Sequence, residues 1–329
     1  MEYRLLGTTG LQVSALCMGT MTFGREADRR ESAAIFGRCR DAGINFFDCA
    51  NSYSGGEAER ILGELIAGCR DEVILTTKVA GKTGSDPNAR GASRRHIMLA
   101  VEASLKRLNT DRIDLYILHR FDERTPLAET LRALDDLTTQ GKILYTGASN
   151  YAAWQVMKAL GISAKGGLRA FKCIQPMYNL VKRQAEVEIL PMAQAEGLGV
   201  IVYNPLGGGL LTGKYEEAGR AADTSRLDAN KTYGSRYGDA WMHETARRFA
   251  QFARAEGFTP ASLALAWVAR HPAVTAPILG ARSVAQLEDS LRAADIRMTA
   301  ELYDRISAFS PAPPSATDRS EKVKSPHDL

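Results

Sequence analysis

The amino-acid sequence predicts a single (β/α)8 barrel, the TIM-barrel architecture. Eight short β-type runs alternate with amphipathic segments of helical spacing over residues 1–310 of the 329-residue chain. Such alternation is typical of a parallel sheet covered by helices. Eight units favour a closed barrel over an open doubly wound sheet. The open sheet usually carries a GxGxxG turn after its first strand, and this chain has none.

The predicted strands are short and mostly apolar, and the predicted helices carry apolar residues at three- and four-residue intervals. The strands are Leu16–Gly19, Asn45–Asp48, Val73–Lys78, Leu115–His119, Leu144–Gly147, Cys173–Gln175, Val200–Tyr203 and Ala276–Leu279. The helices are Asp28–Ala42, Glu57–Ala67, Ser93–Leu108, Leu127–Thr139, Tyr151–Leu160, Gln184–Glu196, Ala240–Glu256, Pro260–Arg270, Ser283–Ala294 and Thr299–Phe309. Gly43, Gly141 and Gly197 follow three of these helices, where glycine commonly ends a helix.

Two segments fall outside this pattern. Leu206–Asp239 lacks clear periodicity, and loops of that length are usually functional. Tyr233, Tyr237 and Trp241 lie in or beside it, where they either form an apolar lid over a substrate or pack the loop onto the barrel. Residues 311–329 are polar and rich in Pro, Ser and Lys, so we expect a loosely ordered tail.

Composition argues against several classes of protein. The net charge is +4, and the basic residues are spread along the chain rather than clustered as in a nucleic-acid binder. Five cysteines without a CxxC pair argue against disulfides and zinc, so no metal site is predicted. We expect a cytoplasmic protein with no membrane contact, because no signal-like start or apolar run of about 20 residues is present.

Ionisable side chains stand at successive strand ends, which is where the active site of such a barrel lies. They are Asp48, Lys78 and His119, and Tyr53 follows Asp48 closely. Each alone has an ordinary structural explanation, but together they predict proton-transfer chemistry. An ammonium beside Tyr53 lowers a phenol pKa that is otherwise about 10, so Tyr53 would donate a proton to a carbonyl that His119 orients.

One competing motif lies in the Gly-rich segment. Gly208, Gly213 and Lys214 nearly match a nucleoside-triphosphate P-loop, but Tyr215 stands where that motif needs Ser or Thr for magnesium. A barrel hydrolase would need paired carboxylates or a metal cluster, and the sequence suggests neither. Both alternatives are therefore disfavoured.

From Tyr3 to Phe309 the chain resembles the aldo-keto reductase superfamily. The matching stretches are Gly43–Ala50 followed by Tyr53 and Gly56–Glu59, then Thr77–Lys78, and then Asp114–Arg120. The resemblance implies that Asp48, Tyr53, Lys78 and His119 form the catalytic set. Cys49 stands where Thr is commoner.

The resemblance also implies an extended NADPH (NADP+) bound without a Rossmann fold. Tyr203 would stack on the nicotinamide, the Gly-rich run would approach the pyrophosphate, and Arg282 would favour NADPH over NADH. Ser290 stands where Asn often contacts adenine. The implied cofactor contacts are Gly19, Thr20, Met21, Ser149, Asn150, Gln175, Tyr203, Pro205, Leu206, Gly207, Leu210, Lys214, Gly280, Arg282, Gln286 and Asp289.

Two functions compete on this scaffold. The first is reversible reduction of a small aldehyde or ketone, with Phe23, Phe121 and Tyr237 expected in the substrate pocket. The second is a cofactor-sensing regulatory subunit on which catalysis is incidental. Substrate, reaction direction and oligomeric state stay open at this stage.

Overall fold

Eight parallel strands close into a barrel within the residues that the computed structural model describes, 1–214 and 231–317. Going round the barrel, the strand order is β10-β3-β4-β5-β6-β7-β8-β9. The barrel strands are β3 Cys17–Gly19, β4 Phe46–Asp48, β5 Ile74–Val79, β6 Ile113–Leu118, β7 Ile143–Ser149, β8 Cys173–Gln175, β9 Gly199–Val202 and β10 Ala276–Leu279. The predicted (β/α)8 barrel is confirmed, and the strand ends differ from prediction by at most two residues.

The helices lie outside the barrel and bury their apolar faces against it. They are α1 Arg29–Asp41, α2 Glu57–Ile66, α3 Arg94–Leu108, α4 Leu127–Thr139, α5 Ala153–Gly166, α6 Ile189–Ala195, α7 Lys231–Tyr237, α8 Ala240–Ala255, α9 Pro260–Arg270, α10 Val284–Leu291 and α11 Ala300–Ser307. The predicted helix Gln184–Glu196 is broken into a short 3-10 turn and α6. Pro191 explains the break, because a residue without an amide hydrogen fits only the first turn of a helix.

An antiparallel hairpin closes the N-terminal end of the barrel, and the sequence did not indicate it. Its strands are β1 Tyr3–Leu5 and β2 Gln12–Ser14. The side chains of Leu6 and Val13 are fully buried against the apolar residues inside the barrel. Ligand access is therefore from the opposite end, where the strands finish.

The aperiodic segment packs onto the barrel where it is described. It contains a 3-10 turn, Gly207–Thr212, and helix α7, while residues 215–230 lie outside the described residues. Tyr237 is fully buried, Tyr233 is 9% exposed and Trp241 is 41% exposed. Residues 311–317 form no helix or strand, and the rest of the expected tail lies outside the described residues. The domain boundary at residue 310 therefore stays a prediction.

In the described ranges, 1–214 and 231–317, no helix combines the length and the apolar character that crossing a membrane requires.

Helices α2 and α3 cross at a glycine. A Cβ atom on Gly63 would lie 2.5 Å from the backbone carbonyl of Leu108. We expect Gly63→Ala to lower the free energy of unfolding by about 1–3 kcal/mol, because the helices must separate. Urea unfolding measures this. Gly161→Ala in α5 is the control, since nothing lies within 4 Å of that site. It should stabilise by about 0.5–1 kcal/mol, and equal effects of the two variants would contradict the crossing.

Candidate active site

A cavity of about 590 Å³ opens at the C-terminal ends of the strands. Its volume lies within the range of about 300–1,000 Å³ that is usual for small-molecule and cofactor sites. The sequence-predicted residues that line it are Gly19, Met21, Asp48, Tyr53, His119, Ser149, Asn150, Gln175, Tyr203, Pro205, Leu206, Lys214, Gly280, Arg282, Gln286 and Asp289. The structure therefore gathers these residues from distant parts of the chain around one cavity.

Lys78 lies below the cavity floor and is fully buried. Its Nζ donates hydrogen bonds to Asp48 Oδ2 at 2.6 Å, to the Cys49 carbonyl at 2.7 Å and to Tyr53 Oη at 3.2 Å. β4 and β5 are neighbours in the barrel, and this brings Asp48 to Lys78. Because Tyr53 Oη accepts from Lys78, the proton of the Tyr53 hydroxyl stays available for another acceptor.

The electrostatics of Tyr53 differ from the expectation drawn from sequence. Burial raises the pKa of Tyr53 to about 12, and the ammonium of Lys78 opposes this rise without cancelling it. Burial would lower the pKa of Lys78, but the charge of Asp48 and the contact with Tyr53 outweigh burial, so that pKa is raised. At neutral pH the site therefore holds a protonated phenol beside a protonated amine.

His119 follows β6 and borders the cavity beside Tyr53. The two rings meet edge to face, with centroids 6.0 Å apart. Burial, together with the charges of Lys78 and Arg120, lowers the pKa of His119 to about 3, so the imidazole is neutral. Nδ1 is buried and has no hydrogen-bond partner among the described residues. Nε2 is thus the ring nitrogen that can reach a ligand.

Amide and hydroxyl groups form a connected network on the wall next to Asp48. Gln175 Nε2 donates to Asp48 Oδ1 at 2.9 Å, and Ser149 Oγ donates to the Gln175 carbonyl at 2.9 Å. Asn150 Nδ2 donates to Ser149 Oγ at 3.1 Å, and Tyr203 Oη donates to Asn150 Oδ1 at 2.6 Å. This wall presents paired donors and acceptors that suit a carboxamide.

The Gly-rich turn supplies a different chemistry. Gly207, Gly208 and Gly209 have φ of +59°, +68° and +98°, in the left-handed region that favours glycine. Successive turn amides can bind phosphate oxygens, but the Gly207 and Gly209 amides here donate to backbone carbonyls at 2.9 and 3.0 Å. A Cβ atom on Gly209 would lie 2.9 Å from Nζ of Lys214, so a cation borders the turn. Gly208, Gly209 and Lys214 all line the cavity, so an anionic group bound there would lie beside a cation.

The start of α10 forms another part of the cavity wall. Ser283 caps that helix, and Arg282 and Gln286 line the cavity beside it. The Val284 amide at the helix start donates to the Glu31 carboxylate at 2.8 Å, so the Arg282 guanidinium is the group here that suits a phosphate. Thr22 Oγ1 donates to the Ala281 carbonyl at 2.7 Å and fixes this loop against the loop after β3. Amide and hydroxyl groups, a glycine turn and two cations, Lys214 and Arg282, therefore line one cavity.

Comparison with known proteins adds sequence similarity to this geometry. The model of the aldo/keto reductase family matches residues 15–311. The chain belongs to the aldo/keto reductase family. Members of this family generally use NAD(P)H, which agrees with the donors and cations along the cavity.

Relatives of the chain within this family carry different names. An uncharacterized oxidoreductase, YrpG, of Bacillus subtilis is 38% identical, with 96% of this chain and 98% of the relative covered. A "Probable voltage-gated potassium channel subunit beta" of Oryza sativa is 37% identical, with 97% and 99% covered. An L-glyceraldehyde 3-phosphate reductase of Escherichia coli is 33% identical, with 89% and 87% covered.

The residues expected in the substrate pocket do not line the cavity. Phe23 and Tyr237 are fully buried in the apolar core instead. Phe121 packs on Tyr151, with ring centroids 5.1 Å apart, and on Trp154, and it is not part of the cavity wall. Aromatic side chains in these loops hold the loops onto this aldo/keto reductase barrel.

Three of the expected cofactor contacts are also buried beside the cavity rather than in its wall. Thr20 Oγ1 donates to the Asp48 carbonyl at 3.1 Å and so fixes the end of β4. Gly207 shapes the turn, and Leu210 is 2% exposed. These three residues could therefore affect cofactor binding only indirectly, by holding residues of the cavity wall in place.

Other cavity residues were not among the expected cofactor contacts or pocket residues, although the Gly-rich run, Tyr233 and Ser290 had been noted in the sequence. They are Thr22, Asn204, Gly208, Gly209, Thr212, Tyr233, Arg236, Thr259, Pro260, Ala261, Leu265, Ile278, Leu279, Ala281 and Ser290. Arg236 lies on α7, inside the aperiodic segment, where no pattern placed it. Thr259 and Pro260 could have been found from the sequence, because Thr followed by Pro indicates a helix start and helix starts often face ligands. Within the described ranges no group of three His, Cys, Asp or Glu side chains forms a metal site.

Proposed function

We propose that this protein reduces the carbonyl group of a small aldehyde or ketone with NADPH, in a reversible reaction. The observation that carries the proposal is the contact of 3.2 Å between Lys78 Nζ and Tyr53 Oη, at the floor of a cavity that His119 also borders. An acid, a neighbouring cation and a neutral hydrogen-bond donor in one place suit protonation of a carbonyl oxygen.

When bound, NADPH supplies a hydride to the carbonyl carbon. Tyr53 donates its hydroxyl proton to the carbonyl oxygen as negative charge builds up there. His119 Nε2 donates a hydrogen bond to the same oxygen and orients it. Lys78 stabilises the phenolate that Tyr53 becomes, and Asp48 keeps Lys78 protonated and in place. In the reverse direction Tyr53 accepts the proton of an alcohol.

Ser149, Asn150 and Gln175 would bind the nicotinamide carboxamide, and Tyr203 would stack on the nicotinamide ring. Arg282 would bind the phosphate that distinguishes NADPH from NADH. We therefore expect Arg282→Met to raise the Kd for NADPH about tenfold, because a hydrogen bond to a charged group contributes about 1.5–3 kcal/mol. The Kd for NADH should stay within about twofold of wild type. Fluorescence titration with both cofactors measures this, and equal losses for the two would contradict the assignment.

A second candidate is a cofactor-sensing subunit, and the relatives named as potassium channel β subunits favour it. The test of the first candidate separates the two. Wild-type protein is mixed with NADPH and a panel of carbonyl compounds, beginning with an activated aromatic aldehyde, and NADPH consumption is followed by absorbance. Turnover supports the reductase. Tight NADPH binding without turnover on any compound overturns it in favour of the sensing role.

A further inference from the structure

We propose that Glu59 and Arg107, a partly buried ion pair outside the cavity, are positioning residues that set the distance between Tyr53 and Lys78. This inference rests on the proposed function. Glu59 lies in the first turn of α2 and is fully buried, and Arg107 lies at the end of α3. Neither residue lines the cavity.

On one side, the pair holds the strand that carries Lys78. Thr77 Oγ1 donates to Glu59 Oε1 at 2.6 Å. Side chains alternate along a strand, so Lys78 points into the barrel while Thr77 points out to the helices. Both residues are fully buried. The Glu59 carboxylate therefore fixes β5 at the residue directly before the ammonium.

On the other side, the pair supports the turn that carries Tyr53. Ser54, Gly55 and Gly56 have φ of +49°, +65° and +96°. Such values are unfavourable for Ser54, whereas glycine adopts them readily. A Cβ atom on Gly56 would lie 2.9 Å from Cδ of Arg107. The Arg107 side chain therefore lies directly against the end of this strained turn.

Arg107 is itself held in place by Glu59. Its Nε donates to Glu59 Oε2 at 2.6 Å, and its Nη2 donates to Ser104 Oγ at 3.3 Å. The Glu59 carboxylate thus contacts β5, the strand that carries Lys78, and also the Arg107 side chain, which lies against the turn that carries Tyr53. Strained segments persist only where their surroundings determine them, and this pair connects the strand to the turn from outside the barrel.

Misplacement of a reacting group by about 1 Å can lower a rate about 10²-fold. We therefore expect Glu59→Gln to lower kcat for aldehyde reduction by about 10–100-fold. The Kd for NADPH should change by less than about twofold, since no cofactor-binding group moves. The primary isotope effect on kcat with deuterated NADPH should rise, because the chemical step becomes slower than product release. Arg107→Lys keeps the charge and should lose less activity than Glu59→Gln.

The chain offers a matched control in a second, partly buried ion pair. Arg70 Nη2 lies 2.9 Å from Asp114 Oδ2, and their side chains are 13% and 7% exposed. Asp114 also accepts from the Leu75 amide at 2.8 Å, so this pair holds the same strand β5 at its other end. Asp114→Asn should lower the melting temperature as Glu59→Gln does, and leave kcat unchanged.

Hydrogen–deuterium exchange gives a readout that does not depend on turnover. Amides of residues 53–57 should exchange faster in Glu59→Gln and Arg107→Lys than in wild type, and Asp114→Asn should leave them unchanged. The proposal is overturned if exchange in this turn is the same in all variants, or if Asp114→Asn lowers kcat as much as Glu59→Gln. If the wild-type protein turns over no carbonyl compound, the proposed function is refuted. The exchange rates of residues 53–57 would still show whether Glu59 and Arg107 position this turn.

Discussion

Replacing Tyr53 with phenylalanine is expected to lower kcat for aldehyde reduction by about 10²–10⁴-fold, the usual loss when a general acid is removed. The hydroxyl of Tyr53 accepts from Lys78 Nζ and keeps its own proton for the substrate. Phenylalanine fills the same space against the buried residues of the core, so the fold should be retained. NADPH consumption under saturating aldehyde measures the loss.

Cofactor binding is the control for this variant. No contact that we assign to the cofactor involves Tyr53, so the Kd for NADPH of Tyr53→Phe should stay within about twofold of wild type. Tyr203→Phe removes a hydroxyl of the same cavity that bonds to Asn150 and not to Lys78. A loss of less than about tenfold in Tyr53→Phe would show that another group supplies the proton.

Lys78→Met is expected to damage both stability and activity. Asp48 is 2% exposed, and without the ammonium its carboxylate would be a buried, unpaired charge. Breaking a buried ion pair in this way costs about 3–5 kcal/mol. We expect urea unfolding to show a fall of that size in the free energy of unfolding.

Adding Asp48→Asn to Lys78→Met removes the unpaired charge. We expect the double variant to recover most of the stability and none of the activity, because Tyr53 then lacks the cation that stabilises its phenolate. Lys142→Met is the surface control, since Lys142 pairs with Glu102 where both are partly exposed. Exposed pairs contribute less than about 1 kcal/mol. Similar losses in Lys78→Met and Lys142→Met would contradict the buried role of Lys78.

The barrel could be predicted from the alternation of eight strand patterns with helix patterns, and its active site from the ionisable residues at the strand ends. Asp48, Lys78 and His119 each close an apolar run, and parallel strands bring such ends together. The hairpin β1–β2 could not be predicted in this way. Its strands have three residues each, and the side chains of Leu6 and Val13 are buried only when the barrel interior is there to pack against them.

The substrate side of the site was the least predictable part. Phe23 and Tyr237 are aromatic residues in cavity-edge loops, and a loop sequence does not tell whether a ring faces the ligand or the core. The pKa of Tyr53 could not be predicted from the sequence either. The cation beside it was evident from residue types, but the degree of burial that raises the pKa to about 12 is a property of the folded barrel.

The pairing of β10 with both β3 and β9 has a consequence for how this protein is made. The cavity wall includes Gly19 near one end of the chain and Ser290 near the other. A ribosome must therefore release almost the whole barrel before any ligand of this cavity finds its complete binding site. The ligand cannot guide early folding of the nascent chain. It can only stabilise the finished barrel by mass action, against later unfolding and proteolysis.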